Sequence, residues 1–169
     1  MTQTPEASSI SHAEQVLEPV DGAAYETVAR LAMPDTSGMA FDATTTDGFT
    51  IRLDAETGEG GAKSGPEPLG LILLAVGACA GMDAISILRK KRQNVTAYTV
   101  NVYANQAKGY PNVYTELMVE HVIEGQGVDP KAVARALELS LTKYCPANDM
   151  VAKAAKVEHV FRILDSTPG

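Results

Sequence analysis

The chain has 169 residues, and 45% of them are hydrophobic, which is enough apolar material for the core of one ordinary domain. Its net charge of −7 leads us to expect no nucleic-acid partner, because phosphate binding needs clustered Lys and Arg. Residues 1–22 are polar and lack the basic start and apolar run of a targeting segment, so we predict a tail there, with a short helix around Ala13–Leu17. Residues 23–169 are predicted to form a single domain.

Short strands are predicted in the first part of this domain. Ala23–Met33 and Met39–Ala43 contain strand-compatible runs, and the residues between them are rich in turn formers. Phe49–Leu53 alternates apolar and polar residues after the turn at Asp47-Gly48, which indicates a half-buried strand.

A glycine-rich loop over residues 54–65 leads into Pro66-Glu67-Pro68, which we interpret as the first turn of a helix that runs to about Lys91. Its start, Leu69–Met82, is apolar on every face and is therefore predicted to be buried all round. That stretch is shorter than the roughly 20 residues that span a bilayer. We therefore expect no membrane contact and a soluble, cytoplasmic protein. The basic run Arg89–Arg92 fits the negative end of the helix dipole.

The second half of the chain predicts a hairpin, a helix and a final strand. The helix has Asp129 as its N-cap and Pro130 in its first turn, and Cys145-Pro146 ends it. The further predicted elements are a strand around Thr96–Val102, a strand at Tyr114–Ile123, a short helix at Asp149–Ala155 and a last strand at Val157–Ile163. This order indicates an α+β fold and not an alternating βαβ one.

Cys79 lies inside the apolar helix, between Gly77 and Gly81. Each glycine costs about 1 kcal/mol in a helix interior relative to alanine, so the pair must be compensated. Close packing of the helix against another element is one compensation, and room for a substrate beside the sulfur is the other. Asp83 is one turn beyond Cys79, where its carboxylate either raises the thiol pKa or holds a hydrogen-bond network.

Cys145 follows 66 positions after Cys79, a spacing that matches no metal motif, so we expect neither a metal nor a bound cofactor. Each cysteine is either a small buried hydrophobe or one half of a thiol pair. At a helix C-terminus Cys145 would resist ionisation and suit a resolving role, whereas Cys79 would need a nearby cation to become a strong nucleophile. His12, His121 and His159 are dispersed, and we expect His159 to be a satisfied core histidine.

Three segments resemble OsmC-like proteins, the osmotically inducible and organic-hydroperoxide-resistance family. Residues 65–93, with Gly77-Ala78-Cys79-Ala80-Gly81-Met82-Asp83 at their centre, resemble the central helix of that family. Gly109-Tyr110-Pro111 with Tyr114-Thr115 resembles its hairpin, and Lys143-Tyr144-Cys145-Pro146 resembles its second cysteine motif. The resemblance covers about residues 27–164 and is strongest to the uncharacterised branch.

The resemblance implies an intertwined homodimer with two long central helices packed together and sites at the subunit interface. The apolar helix itself also has only one other substantial helix to cover it, so we predict that a partner subunit supplies the missing cover and that Gly77 and Gly81 permit close approach. The resemblance also implies a peroxidase cycle. Cys79 attacks an organic hydroperoxide and becomes a sulfenic acid, Cys145 resolves it as a disulfide, and an external dithiol reductant restores both thiols.

The activating residues of the family peroxidases do not carry over. Those enzymes have a Glu nine or ten residues before the first cysteine and a partner Arg, and here Leu69 and Gly70 occupy the two Glu positions. Glu67 is the nearest acid, and Arg30 and Arg52 are the candidate cations. Thiol-dependent hydroperoxide reduction is therefore the leading hypothesis. A non-enzymatic dimer that binds an apolar or oxidised small molecule, and a structural cysteine pair, are the alternatives.

Overall fold

The computed structural model of the chain describes residues 29–166, which form two compact units that meet in sequence between Glu67 and Pro68. The predicted tail, the helix around Ala13–Leu17 and the first residues of the first predicted strand lie outside the described residues. The predicted single domain over residues 23–169 stays a prediction.

The first unit contains a three-stranded antiparallel sheet in the order β1-β2-β3. Its strands are β1 (Ala29–Ala32), β2 (Phe41–Thr45) and β3 (Thr50–Leu53). Gly48 forms the turn between β2 and β3 with a φ of +88°, a conformation that favours glycine, and its N–H donates to the Thr45 carbonyl at 2.9 Å. The predicted strands are therefore confirmed where they are described.

Asp54 organises the glycine-rich loop that follows β3. Its carboxylate accepts hydrogen bonds from the backbone N–H groups of Ala55, Ala62 and Ser64 at 2.8–3.1 Å and from the Ser64 hydroxyl at 2.7 Å. These donors, Ser64 first, lower the pKa of Asp54 to about 2. The loop contains few apolar side chains that could pack together. Its conformation is held instead by hydrogen bonds to the ionised carboxylate of Asp54.

The second unit combines a sheet with three helices. Its elements are α1 (Gly70–Lys90), β4 (Val95–Gln106), β5 (Tyr114–Gly125), α2 (Pro130–Leu139), α3 (Pro146–Ala152) and β6 (Lys156–Asp165). β4 and β5 form the predicted antiparallel hairpin, whereas β6 pairs parallel to β5, with α2 and α3 in the crossover. The α+β class is confirmed.

Helix α1 begins at Gly70, so the prediction of a first turn at Pro66–Pro68 was wrong by a few residues. The Pro68 carbonyl accepts from the Leu71 N–H at 3.2 Å in the turn that precedes the helix. The C-terminal end agrees with the prediction, because α1 ends at Lys90, with Arg89 and Lys90 in its last turn. The N-terminus of α2 is also confirmed, since the Asp129 side chain accepts from the Lys131 N–H at 2.9 Å.

The core of the second unit lies where α1 packs on the sheet and on α2. Leu88 of α1 contacts a cluster that includes Ile123 of β5 and Val133 of α2. Val76 of α1 belongs to a second cluster with Leu117 and Val119 of β5. Both clusters are on one side of the helix.

The start of α1 is not buried all round within the single chain, and its cover by a partner subunit stays a prediction. Val76 and Ala80 are fully buried, but Leu74 is 62% exposed and Met82 is 70% exposed. The sheet and the other helices of the chain cover only one side of α1, and a helix that is apolar on every face then leaves the opposite side open. Within residues 29–166, α1 is the one helix long and apolar enough to cross a membrane, but its buried side belongs to the core, as in a core helix of a soluble protein.

The glycines of α1 face β4 of the same chain. A Cβ atom on Gly77 would lie 2.8 Å from Cγ2 of Val102, and one on Gly81 would lie 3.1 Å from Cγ2 of Val100. Close packing is therefore confirmed as the compensation for these two residues. Their predicted role in the approach of a partner subunit was wrong, because this side of the helix is already covered.

Candidate functional site

The two cysteines lie close together beside α1. Cys79 is half-buried on α1, and Cys145 is buried in the segment between α2 and α3. Both are free thiols, and their sulfurs lie within 4.8 Å of each other. This confirms the predicted proximity of the pair, while the catalytic role of each cysteine stays a prediction.

Cys145 is held by the backbone on both sides. α2 ends at Leu139, and a π-helical turn over Ser140–Tyr144 leads to Cys145, whose N–H donates to the Ser140 carbonyl at 2.8 Å. Its sulfur then accepts from the Asn148 N–H at 3.4 Å, so Cys145 is the N-cap of α3. The prediction that it simply ends the preceding helix was therefore incomplete, because the segment from Pro146 forms a helix at once.

Asp83 lies beside both thiols. One carboxylate oxygen is within 4.8 Å of each sulfur, and the carboxylate accepts from the Ser140 hydroxyl at 3.2 Å. The hydrogen-bond network that the sequence offered as one of two interpretations is therefore present. It links α1 to the turn that carries Cys145.

The surroundings of Cys145 oppose its ionisation. Burial is the largest of the causes that raise the pKa of the Cys145 thiol to about 11. The hydrogen bond to Cys79 and the nearby acidic groups of Cys79 and Asp83 act in the same direction, and the N–H of Asn148 acts in the opposite direction. Cys145 is therefore a protonated thiol at neutral pH.

A chain of hydrogen bonds runs through the sheet to the cap of Cys145. The Tyr98 hydroxyl is 2.6 Å from Nδ1 of His121, and Nε2 of His121 is 2.9 Å from Nδ1 of His159. Nε2 of His159 is then 3.1 Å from Oδ1 of Asn148, the residue whose N–H donates to Cys145. His159 is thus the satisfied core histidine that was predicted, but the expectation that His121 and His159 are dispersed was wrong, because parallel pairing of β5 and β6 makes them neighbours.

Both imidazole rings are uncharged in the folded protein at neutral pH. Burial lowers the pKa of each to about 4, and the charge of His159 contributes to the shift of His121. Burial also raises the pKa of Tyr98. A neutral imidazole donates one hydrogen bond and accepts one, so the chain is satisfied when Tyr98 donates to His121, His121 to His159, and His159 to Asn148.

The predicted activating residues outside α1 belong to the first unit. Arg52 of β3 forms a bidentate ion pair with Asp42 of β2, with N–O distances of 2.8 and 2.9 Å. Arg30 lies on β1, and Glu67 is the last residue of this unit. Activation of Cys79 by Arg30 or Arg52, with Glu67 as an orienting acid, therefore stays a prediction.

A cavity of about 230 Å³ opens beside Cys145. The residues that line it belong to the turn before Cys145 and the start of α3: Leu141, Thr142, Lys143, Tyr144, Cys145, Pro146 and Asp149. The π-helical turn that shapes it gives no distinct signal in the sequence, so the cavity was not predicted.

Comparisons with known proteins agree on one family. The family model described as OsmC-like protein matches residues 58–160. Protein YhfA from Escherichia coli K12 is 30% identical over 127 residues, which cover 75% of this chain and 92% of that protein. YhfA from Shigella flexneri matches to the same extent.

Solved structures share the fold. A hypothetical protein from Aquifex aeolicus superposes with a TM-score of 0.72 at 26% identity, covering 85% of this chain and 100% of the other. An OsmC-like protein of unknown function from Vibrio cholerae gives 0.68 at 15% identity, with coverages of 82% and 100%. An organic hydroperoxide resistance protein from Elizabethkingia anophelis gives 0.61 at 15% identity, with coverages of 85% and 99%.

Proposed function

The chain belongs to the OsmC-like protein family, and from this premise we propose that it reduces organic hydroperoxides with the thiols of Cys79 and Cys145. The observation that carries the proposal is the approach of two free sulfurs to within 4.8 Å. Structural relatives that are named as organic hydroperoxide resistance proteins support the substrate class.

The exposure of the two thiols supports Cys79 as the attacking thiol and Cys145 as the resolving one. Cys79 is half-buried and accessible, whereas Cys145 is only 3% exposed. The sulfur of Cys79 attacks one peroxide oxygen, the O–O bond breaks, and the alcohol leaves with a proton, so that Cys79 becomes a sulfenic acid. Cys145 then displaces water from this sulfenic acid and forms the disulfide.

The geometry is compatible with that disulfide. A disulfide bond is about 2.05 Å long, so the sulfurs need to approach by at most about 3 Å. One thiol of an external dithiol then attacks this disulfide and forms a mixed disulfide with the protein. The second thiol of the same dithiol displaces the protein sulfur, which restores both protein thiols and leaves the dithiol oxidised. No bound cofactor takes part in this cycle.

We also propose that the working form is a cytoplasmic homodimer. Leu74, Ala78 and Met82 follow one another at intervals of four positions along one apolar stripe of α1, and all three are exposed. A second copy that brings the same stripe would bury these side chains and shield a thiol site in which Cys79 is otherwise open to solvent.

The test is a hydroperoxide assay coupled to NADPH oxidation, with several dithiol reductants supplied in turn. We expect turnover by the unchanged protein and none by Cys79→Ser, because the attacking sulfur is lost. Cys145→Ser should consume one equivalent of hydroperoxide and stop as a sulfenic acid, which a dimedone label detects. Absence of turnover with every reductant, or full turnover by Cys145→Ser, would contradict the mechanism.

The alternative function is non-enzymatic binding of an apolar or oxidised small molecule. The observation in its favour is the carboxylate of Asp83 beside the thiols, since a negative charge opposes thiolate formation. A binding protein should retain its ligand when Cys79 and Cys145 are both changed to Ser. A peroxidase should lose every reaction with hydroperoxide in that variant.

A further inference from the structure

We propose that the reduced protein binds one thiophilic divalent cation, of the Zn²⁺ type, through Cys79, Asp83 and Cys145. A sulfur from each cysteine and an oxygen from the carboxylate all lie within 4.8 Å of one another. In a tetrahedral zinc site with Zn–S bonds of about 2.3 Å, the ligand atoms are roughly 3.8 Å apart. The three groups therefore need only a small contraction to share one ion.

The fold brings the ligands together although their spacing in the sequence matches no metal motif. Cys79 and Asp83 are four positions apart on α1, so their side chains project from the same face of the helix. Cys145 comes from the segment between α2 and α3 and meets them from the other side. Ligands from two separate elements enclose an ion better than neighbours on one helix do.

The donor atoms decide the class of ion. Two thiolates and one carboxylate suit Zn²⁺ or Cd²⁺, whereas Ca²⁺ takes six to eight oxygen ligands and Mg²⁺ prefers oxygen in octahedral geometry. Three protein ligands also leave the fourth tetrahedral position open to solvent or to a small molecule.

Two further hydrogen bonds orient the ligands, as the outer shell of a metal site does. The Ser140 hydroxyl donates to Oδ2 of Asp83 and fixes the carboxylate, and the Asn148 N–H donates to the sulfur of Cys145. Binding displaces one proton from each thiol and involves no oxidation. The disulfide form cannot bind, because both sulfurs are then bonded to each other.

The test is a titration of the reduced, full-length protein with Co²⁺ under anaerobic conditions, followed by displacement with Zn²⁺. We expect a thiolate-to-cobalt charge-transfer band that saturates at one ion per chain and disappears when Zn²⁺ is added. Cys79→Ser and Cys145→Ser should each weaken this band, and Asp83→Asn should keep it but lower the affinity by at least about tenfold, or about 1.4 kcal/mol. The oxidised protein should give no band.

Glu138→Gln is the matched control, since Glu138 is an exposed acid on α2 that pairs with Arg135 at 2.8 Å. It should leave the affinity unchanged. The proposal is overturned by the absence of a charge-transfer band, by an affinity that Asp83→Asn does not alter, or by equal binding to the disulfide form. The titration uses no hydroperoxide, so failure of the proposed peroxidase activity and failure of the cation site are separate results.

Discussion

His121 and His159 place two neutral imidazoles side by side in the sheet of the second unit. Their pKa values fall from 6.5 to about 4 in the folded protein, so the unfolded chain binds protons that the folded chain rejects as the pH drops below 6.5. Stability is therefore complete above pH 6.5 and is lost as the pH falls toward 4. Each pKa unit corresponds to about 1.4 kcal/mol, and with screening at the partly exposed His159 we expect a total loss on the order of 2–5 kcal/mol.

Denaturant unfolding at pH 7.5 and at pH 5 measures the part of this loss that has occurred by pH 5, a pH that lies between the unfolded pKa of 6.5 and the folded pKa of about 4. His121→Gln with His159→Gln is the control, since glutamine keeps hydrogen-bonding capacity but does not titrate, and its pH dependence should be flatter. NMR titration of the ring protons gives a second measurement that does not depend on folding of the variant. Ring midpoints near 6.5 would contradict the prediction.

At the level of single residues, the sequence predicted that the two cysteines lie close together, but it did not predict the residues around them. Cys79 and Asp83 could be placed on one face of a helix by their spacing, and the motif around Cys145 pointed to its partner. The contact between His121 and His159 could not be predicted, because it depends on the register of two strands separated by two helices. The link from His159 through Asn148 to Cys145 depends on the same register.

Two glycines of α1 offer a comparison at the level of the helix. A Cβ on Gly77 would lie 2.8 Å from Val102, whereas nothing lies within 4 Å of the corresponding position on Gly70. We expect Gly77→Ala to destabilise the protein by about 1–3 kcal/mol, because overpacking against the stiff Val102 side chain outweighs the gain in helix propensity. Gly70→Ala, the matched control, should leave stability unchanged or slightly raised.

Thermal and denaturant unfolding of both variants distinguishes these outcomes. If Gly77→Ala proved as stable as Gly70→Ala, the contact between α1 and β4 would be looser than the structure shows. A third variant, Gly77→Ala combined with Val102→Ala, should recover part of the lost stability, since it removes the atom that the new methyl group meets.

The elements themselves were largely predictable, and their ends were less so. Alternation and capping residues located the strands and the start of α2, because these signals are local. The prolines at 66 and 68 suggested an earlier start for α1, although the helix begins only at Gly70. The end of the helical segment at Cys145 was the most difficult boundary to predict, because a π-helical turn and a new helix follow each other there without a loop.

For the molecule as a whole, the open stripe of α1 predicts self-association. Leu74→Glu and Met82→Glu place charges on exposed apolar positions, and we expect each to convert the dimer to a monomer, since a buried unpaired charge opposes association. Sedimentation velocity at micromolar concentration measures the change. Tyr110→Glu is the control, because Tyr110 is 96% exposed in the hairpin loop and should leave the dimer intact.

A monomer as the unchanged form would contradict this prediction. Partition of the unchanged protein into lipid vesicles would also contradict it, because α1 has the length and hydropathy of a membrane span and a bilayer would then be the occupant of its open side. Dissociation by Tyr110→Glu would place the interface elsewhere.

The fold class followed from the order of elements, because strands, a long helix, a hairpin, a helix and a strand do not fit an alternating pattern. The burial of α1 could not be predicted in the same way. Its apolar composition shows that it needs cover on all sides, but not which parts of that cover come from the same chain. The sheet and α2 cover one side of the helix, and the expectation that a partner subunit covers the other side stays a prediction.

The parallel pairing of β6 also sets an order of events during synthesis. α1 and the β4–β5 hairpin leave the ribosome first, but β6 can join β5 only after residues 126–155 have been made and have closed a long loop, which is slow compared with hairpin formation. Until then His159 is not in place beside β5, and the side chain of Asn148 lacks its hydrogen bond to His159. The hydrogen-bonded surroundings of Cys145 are therefore completed only when this long-range pairing forms, after the local elements of the second unit.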